Sequence, residues 1–506
     1  MTPDELLMRL NDQGIKLWAD GDKLRYKAPS GALTPELLAE IAKHKAEILT
    51  LLRAAQDLLD DPALPITPVS RQQPLPLSFA QQQLWHLNSL TPASSLPLAI
   101  RLRGPLDSTI LLRALAAVQR RHETLRTSFA IGDGQPVQLI APATAARPTL
   151  ALPLLDLAGL PATRHAQSLQ ALANAACRQP FDLARGPLLR AVLLRATPHE
   201  HVLLLVLSAL IADDWSLDVL ADDISALYDA ASAGQLIVLP VLPIQYADYA
   251  IWQRGRLHGP RIAAQLAYWQ RQLNGASTTL TLLADHPHPT HKSTRDATQT
   301  FTLAQPPAAA LHSLSQLADT TLFVTLLAAF LTLLYHETGR TDLVVGTPIA
   351  NRARAETEGL IGPFANMLAL RVQLDGQMRY WELLAQVREV CQIANANADI
   401  PFEQVQAALE QVALFQVVFA LQTRPQTAAA PTDRRTTRLP LPSSSAEHAL
   451  TLTLLDATDG LYGTFAYRAE LFEAPTITRL WQQFQALLAR IVADPQRRLT
   501  ELPQRK

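Results

Sequence analysis

The chain has very few cysteines and almost no net charge. Only Cys177 and Cys391 occur among 506 residues, which excludes a disulfide framework and indicates a reducing compartment. The formal net charge is -1, so the sequence lacks the clustered surplus of Lys and Arg that a general nucleic-acid surface requires. These two absences favour a cytoplasmic protein that does not bind nucleic acid.

Long apolar runs are missing as well. The longest, from Leu322 to Tyr335, contains Thr325 and Thr332 and is too short to cross a bilayer, so it predicts a buried core helix. The N-terminus has no basic segment ahead of an apolar run, so we expect no signal peptide. No membrane partner is therefore expected.

The chain does have the length and apolar content for several cores. Apolar residues make up 48% of the sequence, and a chain of this length is expected to form about three domains. The predicted parts are a small domain at 1–58, a linker at 59–76, and larger domains at 77–245 and 246–506. Because the linker holds five prolines, we expect it to be extended and semi-rigid.

The first part predicts a helix, a hairpin and a second helix. Residues 15–18 and 23–26 alternate around an Asp-Gly turn, which is a strong hairpin signal. Thr34 and Pro35 predict the start of a second helix that carries apolar residues as far as Leu51. This order resembles the tubulysin-type docking domain at the start of many nonribosomal peptide synthetase subunits.

That resemblance implies a partner for the hairpin. In the family, the hairpin edge captures the C-terminal peptide of an upstream subunit by strand addition and charge pairing. Four basic residues would suit an acidic peptide, the alternative being that they merely solvate a small domain. They are Lys16, Lys23, Arg25 and Lys27.

The stretch from His201 to Ser216 organises the rest of the chain. Residues 202–207 form an unbroken apolar run, which predicts a strand buried on both faces and paired with a strand at 191–195. Polar residues follow the run at once. A corner where a rigid strand passes into a loop is where proteins commonly place their chemistry.

Further segments occur in a recognisable order, and the second half repeats the first in kind. From about residue 75 to 500, the chain resembles the condensation domain of nonribosomal peptide synthetases, and its opening motif is nearest the subtype that takes an L-configured donor. The matching segments are Ser78 to Trp85, Arg121 to Phe129, Tyr246 to Gln253, Ile361 to Arg371 and Ile400 to Glu403.

The resemblance implies both a fold and a reaction. The expected fold is mixed α/β (α+β), with two chloramphenicol-acetyltransferase-like lobes forming a V-shaped pseudo-dimer behind the docking domain. The implied reaction is amide formation between a donor and an acceptor, each held on the phosphopantetheine arm of a carrier protein. We expect no bound cofactor and no metal.

The active-site motif of that family has lost its histidines in this chain. The motif is His-His-x-x-x-Asp-Gly, and here its four defined positions are Ser208, Ala209, Asp213 and Asp214. Ala209 cannot accept a proton, and Ser208 is a poor base near neutral pH. The expectation is an impaired or altered acyltransferase.

Other motif residues are expected to be structural. Asp213 is predicted to form a salt bridge with Arg352, while Asp214, at the glycine position, would either strain the backbone or place a charge at the site. Arg121 and Arg126 are predicted to tie helix to sheet, and His122 to be a core histidine.

Two alternatives to amide formation stay open. One is a catalytically inactive docking and recruitment platform, as in the degenerate relative that recruits oxygenases in glycopeptide assembly. The other is a heterocyclisation-like domain, whose motif is Asp-x-x-x-x-Asp-x-x-Ser. The corresponding residues here are Ser208, Asp213 and Ser216, which fit two of the three positions.

Three further features of the sequence give weaker signals. His286, His288 and His291 are interleaved with prolines and predict a solvated loop rather than a metal site. Residues 425–446, rich in Pro, Thr and Ser, predict a mobile loop. Thr423, near a position where many members of the family carry a tunnel-facing Asn, is predicted to be a strand end.

Deleting residues 1–58 is expected to abolish binding of the upstream C-terminal peptide and to leave the larger part folded, because a Pro-rich linker separates the two. Titration of the labelled peptide against the full chain and the truncated chain measures this. Unchanged affinity after truncation would refute the docking role.

Overall fold

The structure is a computed structural model, and the fold is given for the residues that it describes. These residues are 6, 10, 15–20, 23–27, 34–45, 47–49, 65–90, 95–143, 150–235, 238–257, 259–276, 284–286, 296–303, 305–410, 414–423, 436–439, 441, 448–457 and 460–502. The chain divides into two compact units. The first comprises Met1–Thr67 and Trp252–Arg261, and the second Pro68–Ile251 and Ile262–Lys506.

The first unit contains the predicted hairpin. Strands β1 (Lys16–Asp20) and β2 (Lys23–Lys27) are antiparallel, with Lys16 opposite Lys27. Helix α1 (Pro35–Lys43) begins as predicted, because Thr34 Oγ1 accepts the N–H of Leu37. A small core holds these elements together and is formed by Leu6, Leu10, Ile15, Leu37, Ile41 and Ile48.

The predicted second helix continues beyond α1. Helix α1 ends at Lys43, where His44 has φ −99° and ψ 14°. Residues 45 and 47–49 are helical again, and the N–H of Ile48 donates to the carbonyl of His44 at 2.9 Å. The helix expected from Thr34 is therefore present with a local irregularity at His44, and Leu51 lies outside the described residues.

The second unit contains two lobes, each built on one mixed sheet. The N-terminal lobe has the strand order β14-β4-β9-β8-β7, and a separate sheet has the order β3-β6-β5. Its elements are β3 (Leu75–Pro76), α2 (Phe79–Leu90), β4 (Ser95–Arg103), α3 (Ser108–Arg121), β5 (Thr127–Gly132), β6 (Gln135–Ile140), β7 (Leu154–Asp156), α4 (Ala162–Arg178), β8 (Leu189–Thr197), β9 (Glu200–Ser208) and α5 (Asp214–Ser232).

The C-terminal lobe has the strand order β10-β16-β15-β13-β11-β12. Helices α6 (Tyr246–Arg256) and α7 (Gly259–Leu273) precede it along the chain. The remaining elements are β10 (Asp296–Leu303), α8 (Gln305–Leu317), α9 (Leu322–Thr338), β11 (Asp342–Ile349), α10 (Ala355–Glu358), β12 (Asn366–Gln373), α11 (Tyr380–Ala396), α12 (Phe402–Ala408), β13 (Val417–Thr423), β14 (Thr436–Leu439), β15 (Leu450–Ala457), β16 (Gly460–Arg468) and α13 (Ala474–Ala493).

Strand β9 is the centre of the N-terminal sheet, as its apolar run predicted. It pairs antiparallel with β4 on one side and with β8 on the other. Leu203, Leu205 and Leu207 enter one hydrophobic core, whereas Val202 and Leu204 enter another on the opposite face. Burial of both faces explains why the strand shows no polar alternation.

Helix α9 is the buried core helix that the run from Leu322 to Tyr335 predicted. Thr321 caps its start and Gly339, with φ 66°, its end. Its internal hydroxyls are satisfied, since Thr332 Oγ1 donates to the carbonyl of Ala328 at 2.8 Å. Among the described residues, no single helix is long and apolar enough to cross a membrane. The helical residues 307–317 and 322–338 meet that test only when they are taken together, and the two helices are bent by 106° relative to each other.

The expected mobile loop at 425–446 contains a strand. Strand β14 of this segment pairs antiparallel with β4 and so completes the edge of the N-terminal sheet. Thr436 Oγ1 also donates to Asp229 of helix α5 at 2.9 Å. The loop prediction is therefore wrong for residues 436–439, because pairing with a distant edge outweighs the local composition. Most of the remaining segment lies outside the described residues.

The end of the predicted linker is likewise part of the second unit. Leu75 and Pro76 form β3 against β6. The buried carboxylate of Asp248 accepts the N–H of Val69 at 2.8 Å and Arg71 Nη1 at 2.7 Å. From Val69 onward, the segment expected to be an extended, semi-rigid linker is therefore anchored to the second unit.

Gly346→Ala tests the packing of the C-terminal sheet. A Cβ at Gly346 would lie 2.5 Å from Cδ2 of the buried Phe415, so we expect the free energy of unfolding to fall by about 1–3 kcal/mol. Urea denaturation measures it. In Gly159→Ala, the control, the new methyl group meets no atom within 4 Å, and the change should stay within about 0.5 kcal/mol. Equal effects would contradict this account.

Candidate active site at the strand-helix corner

Ser208 closes the turn that leads from β9 to α5. Its N–H donates to the carbonyl of Leu188 at 3.0 Å, and its carbonyl accepts the N–H of Ile211 at 3.0 Å. Its side-chain oxygen accepts the N–H of Leu210 at 3.3 Å. Ser208 is fully buried, and no imidazole or carboxylate of the described residues is hydrogen-bonded to its hydroxyl. Its geometry is that of a turn-forming residue rather than an activated nucleophile.

Asp213 caps helix α5 and accepts hydrogen bonds from two segments. Oδ1 accepts the N–H of Ser216 at 2.8 Å, Ser216 Oγ at 2.6 Å and Arg352 Nη2 at 3.0 Å. Oδ2 accepts the N–H groups of Phe364 and Ala365 at 3.0 and 3.1 Å. With both oxygens fully engaged, this carboxylate has a structural role.

Arg352, the predicted partner of Asp213, lies in the loop after β11. Its Nη1 donates to the carbonyls of Thr357 and Leu360 at 2.6 and 2.8 Å. Its guanidinium lies over the ring of Phe364, 4.1 Å from the centroid. Burial lowers the pKa of Arg352, and the charge of Asp213 opposes that effect. The two buried charges join the N-terminal lobe to the C-terminal lobe.

Further hydrogen bonds between the lobes surround this pair. Ser216 Oγ accepts the N–H of Gly362 at 3.0 Å, and Trp215 Nε1 donates to the carbonyl of Glu358 at 2.9 Å. The hydroxyl of Tyr246 donates to the carbonyl of Pro363 at 2.8 Å and lies 2.7 Å from Ser78 Oγ. The corner is thus part of a rigid junction.

At the position of the second histidine of the family motif, this chain has Ala209, whose side chain is only a methyl group. Ala209 is 9% exposed and lies in the turn directly after Ser208. Neither it nor the buried turn residues Leu210, Ile211 and Ala212 can exchange a proton. No side chain at this position can therefore act as the general base that the resemblance implies.

Asp214 is the first residue of α5 and differs from Asp213 in its exposure and in its hydrogen bonding. It is exposed, and among the described residues none forms a hydrogen bond or ion pair with its carboxylate. Surrounding protein raises its pKa, and the charges of Asp213 and Asp218 add to the effect, while Arg438 opposes it. Asp214 is not among the described residues with left-handed backbone, so the expectation of strain there is wrong. A helix start needs no glycine.

Arg121 and Arg126 have different partners. Arg121 Nε donates to Asp223 of helix α5 at 2.9 Å, and His122 Nε2 lies 2.8 Å from the same oxygen. Arg121 therefore joins two helices, and the helix-to-sheet prediction is wrong for it. Arg126 contacts the carbonyl of Ala141, the residue after β6, and lies 3.6 Å from Glu123. Burial lowers the pKa of His122, as suits a core histidine.

The other predicted sites lie apart from the corner. Lys16, Lys23, Arg25 and Lys27 all lie in the β1–β2 hairpin, and Arg25 is exposed. Among the described residues, no group of His, Cys, Asp or Glu could hold a metal ion. His286 lies 3.4 Å from Glu473, whereas His288 and His291 lie outside the described residues. Thr423 is the last residue of β13.

Sequence reasoning missed the role of Ser216. It was considered only as a match to a heterocyclisation motif, yet it is fully buried and is hydrogen-bonded to Asp213 and Gly362. The Asp-x-x-Ser spacing carried the signal, because an N-cap carboxylate accepts the N–H three residues later.

Comparison with known proteins identifies the family. Residues 71–504 match the model of the condensation domain, and residues 4–54 match that of the TubC N-terminal docking domain. The chain belongs to the condensation-domain family. Its N-terminal part is a docking domain of the TubC type, as the helix-hairpin-helix pattern predicted.

The curated relatives of this condensation domain are synthetases. One component of the linear gramicidin synthase of Brevibacillus parabrevis is 43% identical over 451 residues, or 87% of this chain and 6% of that protein. Phosphinothricin tripeptide synthetase PhsC of Streptomyces viridochromogenes is 38% identical over 93% of this chain and 44% of that protein. The chain thus spans less than half of either relative.

Solved structures share the fold. The X-domain from teicoplanin biosynthesis is 30% identical, with a TM-score of 0.74 over 87% of this chain and 99% of that one. The first condensation domain of the calcium-dependent antibiotic synthetase has a TM-score of 0.75 at 18% identity, over 86% and 100% of the two chains. The predicted chloramphenicol-acetyltransferase-like α/β fold is confirmed.

Asp213→Asn tests the buried junction. Removing the charge leaves Arg352 buried without its partner, so we expect the free energy of unfolding to fall by about 3–5 kcal/mol. Thermal and urea unfolding measure it. Asp218→Asn is the matched control, because Asp218 is 56% exposed and a surface pair with Arg438 is worth about 0–1 kcal/mol. Equal losses in the two variants would contradict the structural role.

Proposed function

We propose that this condensation domain joins a carrier-bound acyl or peptidyl donor to a carrier-bound amine without a histidine base. The acceptor amine attacks the donor thioester, the C–N bond forms, the C–S bond breaks and the donor arm leaves as a thiol. Support comes from the family match and from relatives named as synthetases. The setting would be a cytoplasmic assembly line for a nonribosomal or hybrid peptide.

One observation carries the proposal of impaired chemistry. Asp213 accepts five hydrogen bonds, Ser208 closes its own turn and Ala209 has no polar atom, so none of these three can take a proton. A missing general base typically costs ~10²–10⁴-fold in rate. Positioning of two bound reactants can still supply up to ~7–11 kcal/mol. Slow amide formation therefore remains chemically accessible.

The partners follow from the same assignment. The phosphopantetheine arms of a donor and an acceptor carrier protein would supply the substrates, and the chain itself would need no bound cofactor. An acidic C-terminal peptide of an upstream subunit would bind the hairpin through Lys16, Lys23, Arg25 and Lys27. The proposed parts are 1–58 for docking, 59–76 as connector, and lobes at 77–245 and 246–506.

A recruitment platform is the second candidate. The observation that favours it is the likeness to the X-domain from teicoplanin biosynthesis, at 30% identity over 87% of this chain. That X-domain has been solved in complex with OxyB. In this alternative the lobes keep their fold for binding a partner enzyme, and amide formation is absent.

The heterocyclisation alternative has less support. Of the residues that match its motif, Asp213 and Ser216 are hydrogen-bonded to each other and to the C-terminal lobe, and Ser208 is buried in its turn. These contacts account for the three residues without any chemistry. The geometry therefore favours a structural role for the partial match.

Ala209→His tests the amide-forming proposal. Intact-mass measurement of the acceptor carrier gives the rate of product formation from loaded carrier proteins. The natural chain should form the amide slowly, and the variant faster by up to ~10²–10⁴-fold, because a histidine base is restored. Ala158→His, at an exposed position, is the control and should leave the rate unchanged.

Two results would contradict it. No amide from the natural chain or from correctly folded Ala209→His, with any cognate carrier pair, would favour the platform. A natural rate equal to that of the variant would show that loss of the histidine does not impair the reaction.

A further inference from the structure

Asp214 is the one polar side chain of the degenerate motif that the structure leaves available. Ser208 is buried in its turn, and Asp213 is saturated by two backbone amides of the C-terminal lobe, Ser216 and Arg352. Asp214 is exposed and has no hydrogen-bond partner among the described residues. We propose that the Asp214 carboxylate replaces the lost histidine as the proton acceptor for the ammonium group of the acceptor substrate. This inference rests on the proposed amide-forming function.

The turn before Asp214 and the helix after it both fix the position of its backbone. The turn before it is held by hydrogen bonds from Leu210 and Ile211 to Ser208, and Gln81 Nε2 donates to the carbonyl of Leu210 at 3.3 Å. The helix that starts with it is capped by Asp213. A side chain mounted on a rigid strand-to-helix corner loses little freedom when a substrate binds.

The charges around Asp214 leave it as the free anion of the corner. Asp213 at the cap of α5, Asp218 on α5 and Arg438 on β14 are the charged groups that act on it. Each of these three already has its own partner, because Asp213 pairs with Arg352 and Asp218 pairs with Arg438. An ammonium group entering this region would therefore meet an unneutralised carboxylate at Asp214.

The electrostatic setting suits proton transfer. Crowding by protein and the neighbouring carboxylates raise the pKa of Asp214, which makes its ionised form a stronger base than an ordinary aspartate. The group is nevertheless exposed, so water and a substrate can reach it. Both properties together are those expected of an acid–base residue that a substrate can reach.

The Asp214 carboxylate takes one proton from the acceptor ammonium, which frees the nitrogen lone pair. The nitrogen attacks the thioester carbonyl carbon, the C–N bond forms and the C–S bond breaks with its electron pair on sulfur. The second proton of the amine goes to the leaving thiolate, and solvent takes the first proton from Asp214 afterwards.

Asp214→Asn is the decisive variant, because it keeps the size of the side chain and removes its basicity. Single-turnover amide formation with loaded carrier proteins is measured from pH 5 to pH 8.5. The natural chain should lose activity as the pH falls through the pKa of Asp214. The variant should be slower by ~10²-fold or more near pH 7 and should not show that loss. Asp214→Glu should recover part of the rate.

Controls separate chemistry from folding. Asp133→Asn, an exposed turn residue with φ 49° that Asn tolerates equally well, should leave rate and pH profile unchanged. A raised pKa in the folded state means that ionised Asp214 costs stability as the pH rises through that pKa. Asp214→Asn removes this cost, so its unfolding temperature at pH 8 should be no lower than that of the natural chain.

The outcomes are distinguishable. If the natural chain and Asp214→Asn form amide at equal rates with the same pH profile, the role of Asp214 is overturned and the proposed function survives. If the natural chain forms no amide with any cognate pair, the function and the role of Asp214 are both overturned. The assignment is supported if Asp214→Asn no longer loses activity as the pH falls through the pKa of Asp214 and if Asp214→Glu recovers part of the rate.

Discussion

The buried ion pair between Asp213 and Arg352 is the constraint on which the rest of the site depends. It connects the start of α5 in one lobe with the loop after β11 in the other, and both side chains are almost fully buried. Two charges removed from water are tolerated only when their remaining hydrogen-bonding positions are filled. Backbone groups of residues 357–365 bind both Asp213 oxygens and Arg352 Nη1, although Arg352 Nε has no partner among the described residues, so the lobe contact, the helix cap and the motif form one structure. The motif aspartate can be kept for architecture even where the catalytic side chains next to it are lost.

Much of the fold was accessible from the sequence because its signals are local. The apolar run of β9 predicts a strand buried on both faces, and the run of α9 predicts a core helix, since each pattern reports its own burial. The hairpin of the first unit follows from alternation around a turn. These elements need no knowledge of distant residues.

What the sequence did not reveal depends on distant partners. Strand β14 lies in a segment whose composition is typical of loops, and only the free edge of β4 makes it a strand. Likewise, the amide donors at Phe364 and Ala365 belong to the backbone, which carries no residue signature. The pairing of Asp213 with Arg352 came from family resemblance and not from spacing. The contrast between a saturated Asp213 and an open Asp214 is visible only in three dimensions.

The crossing of β14 into the N-terminal sheet has a consequence for synthesis on the ribosome. The strands β4, β8 and β9 are complete once Ser208 has been made, but the strand that covers the edge of β4 begins only at Thr436, roughly 230 residues later. At ~5–20 residues per second, the nascent sheet keeps an open edge for about 10–45 s. An uncovered edge of this kind is a template for pairing with other chains. Completion of the sheet of the first lobe therefore depends on the last quarter of the chain.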